Sequence, residues 1–211
     1  LWKKKHFFRF FFIILLFQGC SSQIVINNPE IPELLIDRSP YEVAVIYPEN
    51  FDNLIHEEKV IGRKSWKIDF SDSNKTLFDK ILTSYFEKVD ERQEQDESLM
   101  SYDFVIRPSI DAIEFSVPEQ SQDETFAVWI RYRMKIYDNS GSEIINWPIS
   151  SYGKTSTSIF ADEQDLGRAA VLAMRDAAAL IILQMEKSGN LGLWLKRLKS
   201  SQLIRYAYNN S

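Results

Sequence analysis

Between residues 126 and 136 every even position is apolar: Phe126, Val128, Ile130, Tyr132, Met134 and Ile136. The odd positions include Arg131, Arg133 and Lys135. Six matches to a period of two demand a strand with one face in a core, because successive side chains of a strand point to opposite faces. The stretch before it, Tyr102 to Val117, keeps Phe104, Ile106, Ile110 and Ala112 on one parity. Ile113, Phe115 and Val117 then fall on the other. One inserted residue re-aims a strand in this way, so the switch predicts a β-bulge near Asp111 to Ile113. Asp138-Asn139-Ser140-Gly141 is a turn signal, and a third antiparallel strand is expected over Glu143 to Ser158, interrupted at Pro148.

The other elements follow from their own periodicities. Val43, Ala44, Val45, Ile46 and Tyr47 form an almost wholly apolar run ending at Pro48, the pattern of a strand covered on both faces. Residues 50–64 read as a loop with a short helix, followed by a brief strand over Ser65 to Asp69. Leu77, Ile81, Tyr85 and Val89 stand at helical spacing and predict a helix from Asn74 to Glu91, capped by Ser71, Asp72 or Ser73. The charged run 87–97 reads as its fraying end and a solvated loop. A second helix is expected from Asp162 to Lys187, with Asp162, Glu163 and Asp165 in its first turn, where the helix dipole favours negative charge. Leu166, Ala169, Ala170, Ala173 and Ala177 share one face of it, and the alanines allow that face to lie close on a sheet. A shorter amphipathic segment, Leu191 to Leu198, contains Trp194. The order strand, helix, long antiparallel strands, helix implies an α+β fold. The expected form is a two-layer sandwich with one mixed sheet and helices mainly on one face.

The amino-terminal stretch is of a different kind. Lys3, Lys4, Lys5 and Arg9 precede the apolar run 10–17, then Gln18, Gly19 and Cys20. A basic start, a short apolar core and a small residue before a cut are the parts of a secretory signal. Phe17-Gln18-Gly19-Cys20 resembles the signal of bacterial lipoproteins, with Phe17 where that family has leucine. The resemblance implies cleavage between Gly19 and Cys20, acyl chains on Cys20, and, since Ser21 rather than aspartate follows, residence in the outer membrane facing the periplasm. Two or more chains give stable anchoring, each buried methylene contributing about 0.8 kcal/mol. The apolar run is about half the ~20 residues that a spanning helix needs.

On this reading residues 1–19 are a signal, 20–40 a lipidated tether, 41–198 one α/β domain and 199–211 a basic tail. Pro29, Pro32 and Pro40 deny the tether a helix, and its length reaches about 60 Å at ~3.1 Å per residue. Its patches Ile24-Val25-Ile26 and Leu34-Leu35-Ile36 dock either on the domain or on a partner. Residues 1–19 hold four of the 25 Lys+Arg and none of the 30 Asp+Glu, leaving 21 against 30, or −9. That charge repels nucleic acid phosphates.

Chemistry is scarce. His56 is the only histidine beyond the signal and Cys20 the only cysteine, so neither a metal site nor a cofactor is expected, and no Gly-x-Ser-x-Gly elbow presents a nucleophile. Asp111 either faces solvent at the bulge or pairs with Arg107. Trp129, Arg131, Arg133, Lys135 and Tyr137 place aromatic and basic groups on one strand face. That face is either a partner surface, in keeping with the residues enriched at hot spots, or lies under the helices with its basic stems snorkelling. Trp194 and the basic, aromatic tail are the other candidates; the tail contacts a partner or headgroups, folds back, or stays disordered.

The element order, with Val43-Ala44-Val45-Ile46-Tyr47-Pro48 and the alanine-rich stretch 169–179, resembles the small α/β domain of several envelope lipoproteins: ABC-transport auxiliary, curli-secretion and penicillin-binding-protein-activator types. The resemblance implies a non-enzymatic accessory or assembly lipoprotein that docks onto other envelope proteins. The alternative is a component of an envelope transport system that binds lipid or another hydrophobic ligand.

Overall fold

The computed structural model describes residues 21–26, 29, 31, 38–59, 65–120, 123–157 and 163–187. The alternating segment lies at its centre as β7 (Thr125–Asp138), between β6 (Phe104–Ser116) and β8 (Glu143–Ser156), antiparallel to both. All six even apolar positions of β7 are buried. The register of β6 shifts between Ile110 and Ala112, opposite Tyr132 and Arg131, which makes Asp111 the extra residue of the bulge that the parity switch implied.

Two parallel strands extend this meander, β2 (Ser39–Val45) beside β6 and β5 (Phe86–Glu91) beside β2, giving the order β5-β2-β6-β7-β8. Val43 and Val45 enter the main core. Ala44 and the following Ile46 pack on the opposite face with Tyr102 and Val105. The strand is therefore covered on both faces, as its unbroken apolar run implied.

The expected single sheet is two. A smaller sheet of order β1-β4-β3 is built from β1 (Ser21–Val25), β3 (Leu54–Lys59) and β4 (Ser65–Ser71). It joins the core because Trp66, Ile68 and Phe70 all face inward, with Trp66 edge-on to Phe126 at 5.6 Å. Two expectations change here. Residues 21–25 are not a spacer: they pair with β4, and Ile26 is buried, so the folded unit includes them as well as the residues from Tyr41 on. Residues 54–59, expected in a loop, form a strand whose polar residues are supported across the ladder, Glu57 by Lys67 at 3.4 Å.

The first helix, α1 (Ser73–Tyr85), ends six residues before the expected boundary and passes directly into β5. Asp72 occupies its N-cap without a side-chain cap bond. Ser71, at φ 34°, is held there by Asp69 Oδ1, which accepts from both its N–H and its hydroxyl. The charged run 87–97 is thus mostly strand and turn, followed by a 3₁₀ turn (Glu97–Ser101). Pro148 does not interrupt β8 either. The strand is the sheet's edge, where a missing N–H removes nothing from the ladder.

The second helix, α2 (Glu163–Lys187), lies on β8 and β7 through Ala169, Ala170, Ala173 and Ala177. At Gly153 it comes so close that an added Cβ would stand 2.0 Å from the Ala169 carbonyl oxygen and 2.4 Å from the Ala173 nitrogen. The two helices meet where the Tyr85 hydroxyl donates to the Met185 carbonyl at 3.2 Å. The result is an α+β sandwich with helices packed against the sheet. Gly19, Cys20, Trp194, the segment Leu191–Leu198 and the tail 199–211 lie outside the described residues.

Candidate functional site

Because the even side of β7 faces α1 and α2, its odd side forms the outer face of the five-stranded sheet. The helices do not cover that face. Trp129 is 43% exposed, Arg131 is exposed, and Arg133, Lys135 and Tyr137 are half-buried. The register sets Trp129 opposite Tyr152 of β8, 42% exposed, with ring centroids 5.1 Å apart. Beside the pair, Ala112, Glu114, Arg131 and Ser150 line a concavity of about 190 Å³. Tyr152 escaped the sequence reading, because a register shift between Ile136 and Tyr137 displaces the pairing that a count back from the turn would give.

Further along, the basic residues are fixed by acids. Arg133 binds Asp111, Nη2 to Oδ2 at 2.6 Å and Nε to Oδ2 at 2.9 Å, and its Nη1 donates to Asn146 Oδ1 at 2.9 Å. The hydrogen bond to Asp111 raises the guanidinium pKa above its ordinary value. Asp111 therefore pairs with Arg133 across the bulge, not with Arg107. Lys135 meets Glu143 at 3.4 Å. The distinct surface element is the aromatic pair with Arg131 beside it, bordered by a rigid charged network.

His56 is held by its neighbours. Its Nε2 is 3.2 Å from Glu58 Oε1 and its ring stands edge-on to Phe115 at 5.6 Å, while the same Glu58 oxygen accepts the Phe115 N–H at 3.0 Å.

A cleft that the sequence did not reveal opens where β2 and β5 end. Residues 46–49, Asp52, 91–95, 107–109, Lys135 and Tyr137 enclose about 740 Å³. On its wall the Tyr47 hydroxyl donates to Asp79 at 2.6 Å. Burial foremost, then the bond to Asp79, pushes that phenol far above its usual range.

On the outer face, the Tyr102 hydroxyl donates to Asp90 Oδ2 at 2.6 Å and accepts from Arg92 Nε at 2.9 Å, tying the 3₁₀ turn to β5. The Tyr102 bond, reinforced by Lys88 and Arg92, holds the Asp90 carboxyl below its ordinary value. A depressed carboxylate contributes stability that is present above its unfolded pKa, about 3.9. That contribution is lost as pH falls through the lower folded value. Tyr102→Phe is expected to cost about 1 kcal/mol at neutral pH. In urea titrations its deficit against the wild type shrinks below about pH 4; an equal deficit at pH 7 and in acid would refute the coupling.

No known protein family matches the sequence, and no curated protein matches it. Some solved structures share part of the backbone path. A minor lipoprotein of Acinetobacter baumannii is 12% identical, with a TM-score of 0.45 over 72% of this chain and 95% of its own. A Chlamydia trachomatis protein is 10% identical, with a TM-score of 0.41 over 70% of this chain and 96% of its own. A lipoprotein of Neisseria meningitidis is 15% identical, with a TM-score of 0.22 over 41% of this chain and 51% of its own. These overlaps are too slight to carry a role from those proteins to this one.

Proposed function

We propose that the chain is a non-enzymatic envelope lipoprotein, anchored through acyl chains on Cys20 and docking onto other envelope proteins through the outer face of its five-stranded sheet. The observation that carries the docking surface is the exposed Trp129–Tyr152 pair, on a face that neither helix covers. Such rings supply large contact area at little conformational cost, which is why aromatics dominate binding hot spots. The layer between sheet and helices is filled by Phe51, Phe78, Tyr132 and their neighbours, in keeping with a solid scaffold for an interface. β1 begins at Ser21, so an anchor on Cys20 would hold the domain against the bilayer instead of about 60 Å above it.

The test places a photo-crosslinking amino acid at Ser150, beside Trp129, and at Leu183, exposed on α2, in full-length protein within native envelopes. Ser150 is expected to give a discrete crosslinked species that falls about tenfold on Trp129→Ala and disappears with Cys20→Ala. Equal crosslinking from Leu183, or indifference to Trp129→Ala, would sink the docking surface. A lipid-binding role draws on a groove of about 530 Å³ between β1 and α2, lined in part by Ile24, Val25, Val171 and Leu172. Copurified lipid lost on Leu172→Glu, with Ser150 giving no discrete crosslink, would favour that reading.

A further inference from the structure

We infer that the partner of the outer face presents an extended acidic segment, with two carboxylates four residues apart and an apolar side chain midway between them. The inference rests on the reading of that face as a docking surface and names the chemistry it takes. The register sets three rows side by side on β7 and β8: Arg131 with Ser150, Trp129 with Tyr152, and Ala127 with Lys154. Gly153 faces α2, so Tyr152 and Lys154 on either side of it point outward, as Trp129 and Arg131 do. The two rings are thus bracketed by a cation at each end.

These two cations differ from the others on the face. Arg133 is held by Asp111, Lys135 by Glu143 and Arg107 by Glu94. Arg131 and Lys154 are both exposed, and among the described residues no ion pair or hydrogen bond engages either side chain. Glu114 stands beside Trp129 on β6, on the side away from Tyr152 and Lys154, and pairs with neither cation. Ala112 and Ser150, the cross-strand neighbours of Arg131, are small, and the concavity of about 190 Å³ opens there. A carboxylate seated in it would meet the guanidinium through a charge-assisted hydrogen bond, stronger than a neutral one.

Spacing sets the form of the segment. Arg131 and Lys154 lie four residues apart along the strands and one strand apart across them, about 14 Å between α-carbons. An extended chain covers the same distance in four residues, with alternate side chains on one face. Laid along β7 and β8, it offers a carboxylate to Arg131, an apolar group to the two rings and a second carboxylate to Lys154. A helix covers that distance in about nine residues, and residues nine apart lie on opposite sides of it. A phosphate-bearing surface would meet both cations but set charge against the rings between them. Salt screens the chain's overall charge of −5 beyond about 8 Å, so the two cations govern the contact.

The test measures binding of full-length protein in uncharged detergent to a dye-labelled, end-blocked peptide, Thr-Glu-Thr-Phe-Thr-Glu-Thr, by fluorescence anisotropy. Saturable binding is expected, weakened about tenfold when both glutamates become glutamines and several-fold by Arg131→Gln or Lys154→Gln alone. The same composition respaced as Thr-Thr-Glu-Phe-Glu-Thr-Thr should bind several-fold less. The double variant Arg131→Glu/Lys154→Glu should instead prefer the peptide with lysines in place of its glutamates. Both side chains are exposed, so every variant should melt close to wild type. No saturable binding, equal binding of the glutamine or respaced peptide, or tighter binding of inorganic tripolyphosphate would each overturn the assignment. So would a Ser150 crosslink that depends on Trp129 yet persists undiminished in Arg131→Gln/Lys154→Gln; docking would then stand with a partner of other chemistry. Loss of the Trp129 dependence itself would sink the docking surface and this assignment together.

Discussion

Gly153→Val is expected to lower stability by about 3 kcal/mol or more, beyond the usual overpacking cost because backbone meets backbone. The atoms nearest a Cβ at this position are the Ala169 carbonyl oxygen and the Ala173 nitrogen. Neither is the end of a flexible side chain that could swing aside. Relief requires α2 to lift off β8, which opens space along the whole row from Leu166 to Ala177. Gly153→Ala already introduces the clash, so it too should be destabilising, by a smaller amount. Urea unfolding is the measurement. The midpoint should fall while the denaturant slope holds, since the surface exposed on unfolding is unchanged. Midpoints matching wild type for both variants would mean that helix and strand do not approach this closely.

The second large effect is expected at Tyr132, whose ring is fully buried, edge-on to Phe78 at 5.6 Å. Its hydroxyl donates to Asn74 Oδ1 at 2.8 Å, in the first turn of α1. Tyr132→Ala should cost about 3–5 kcal/mol through the cavity it leaves. Tyr132→Phe isolates the hydroxyl and should cost about 1–2 kcal/mol, because Asn74 Oδ1 stays buried without its donor. The phenol is pushed far above its ordinary pKa by burial, so it stays protonated and the deficit of Tyr132→Phe should not change between pH 6 and 9. If the phenylalanine variant proves as unstable as the alanine one, the hydrogen bond rather than the packing joins α1 to the sheet.

What the sequence disclosed was decided by how one-sided the burial is. β7 was legible because a helix layer lies on one face and solvent on the other, so period two is written in full. The bulge at Asp111 was legible for the same reason, since a parity change has no other simple source on a half-buried strand. β3 was not, because Ile55, Glu57 and Lys59 face outward while half-buried His56 and Glu58 are polar, leaving no apolar face to read. The end of α1 was hidden by coincidence. Val89 falls four residues after Tyr85, so a helical spacing runs on through β5, with neither glycine nor proline to mark the change. The alanines of α2 announced a close approach, but its other half, Gly153, stood in a strand where one glycine signals little by itself. The aromatic surface was half legible, Trp129 from periodicity and Tyr152 only through register. The cleft was invisible, since its walls come from segments tens of residues apart.

The proline tolerated in β8 belongs to a wider arrangement. Pro148 offers no N–H, and the outward N–H of Tyr152 is taken by Asp176 of α2 at 3.0 Å. Beyond the end of β2, β6 presents Pro108, then the bulge at Asp111, then Phe115 with its N–H held by Glu58. The other edge of the five-stranded sheet, β5, carries Glu87, Lys88 and Asp90. None of these borders offers the flat, unbroken row of free donors and acceptors that templates another strand. Held at high density on a two-dimensional surface, copies of this chain would resist growing into one another through the five-stranded sheet. Contacts then fall to side chains on the face, where geometry can discriminate between partners, and not to the backbone, which treats every extended chain alike.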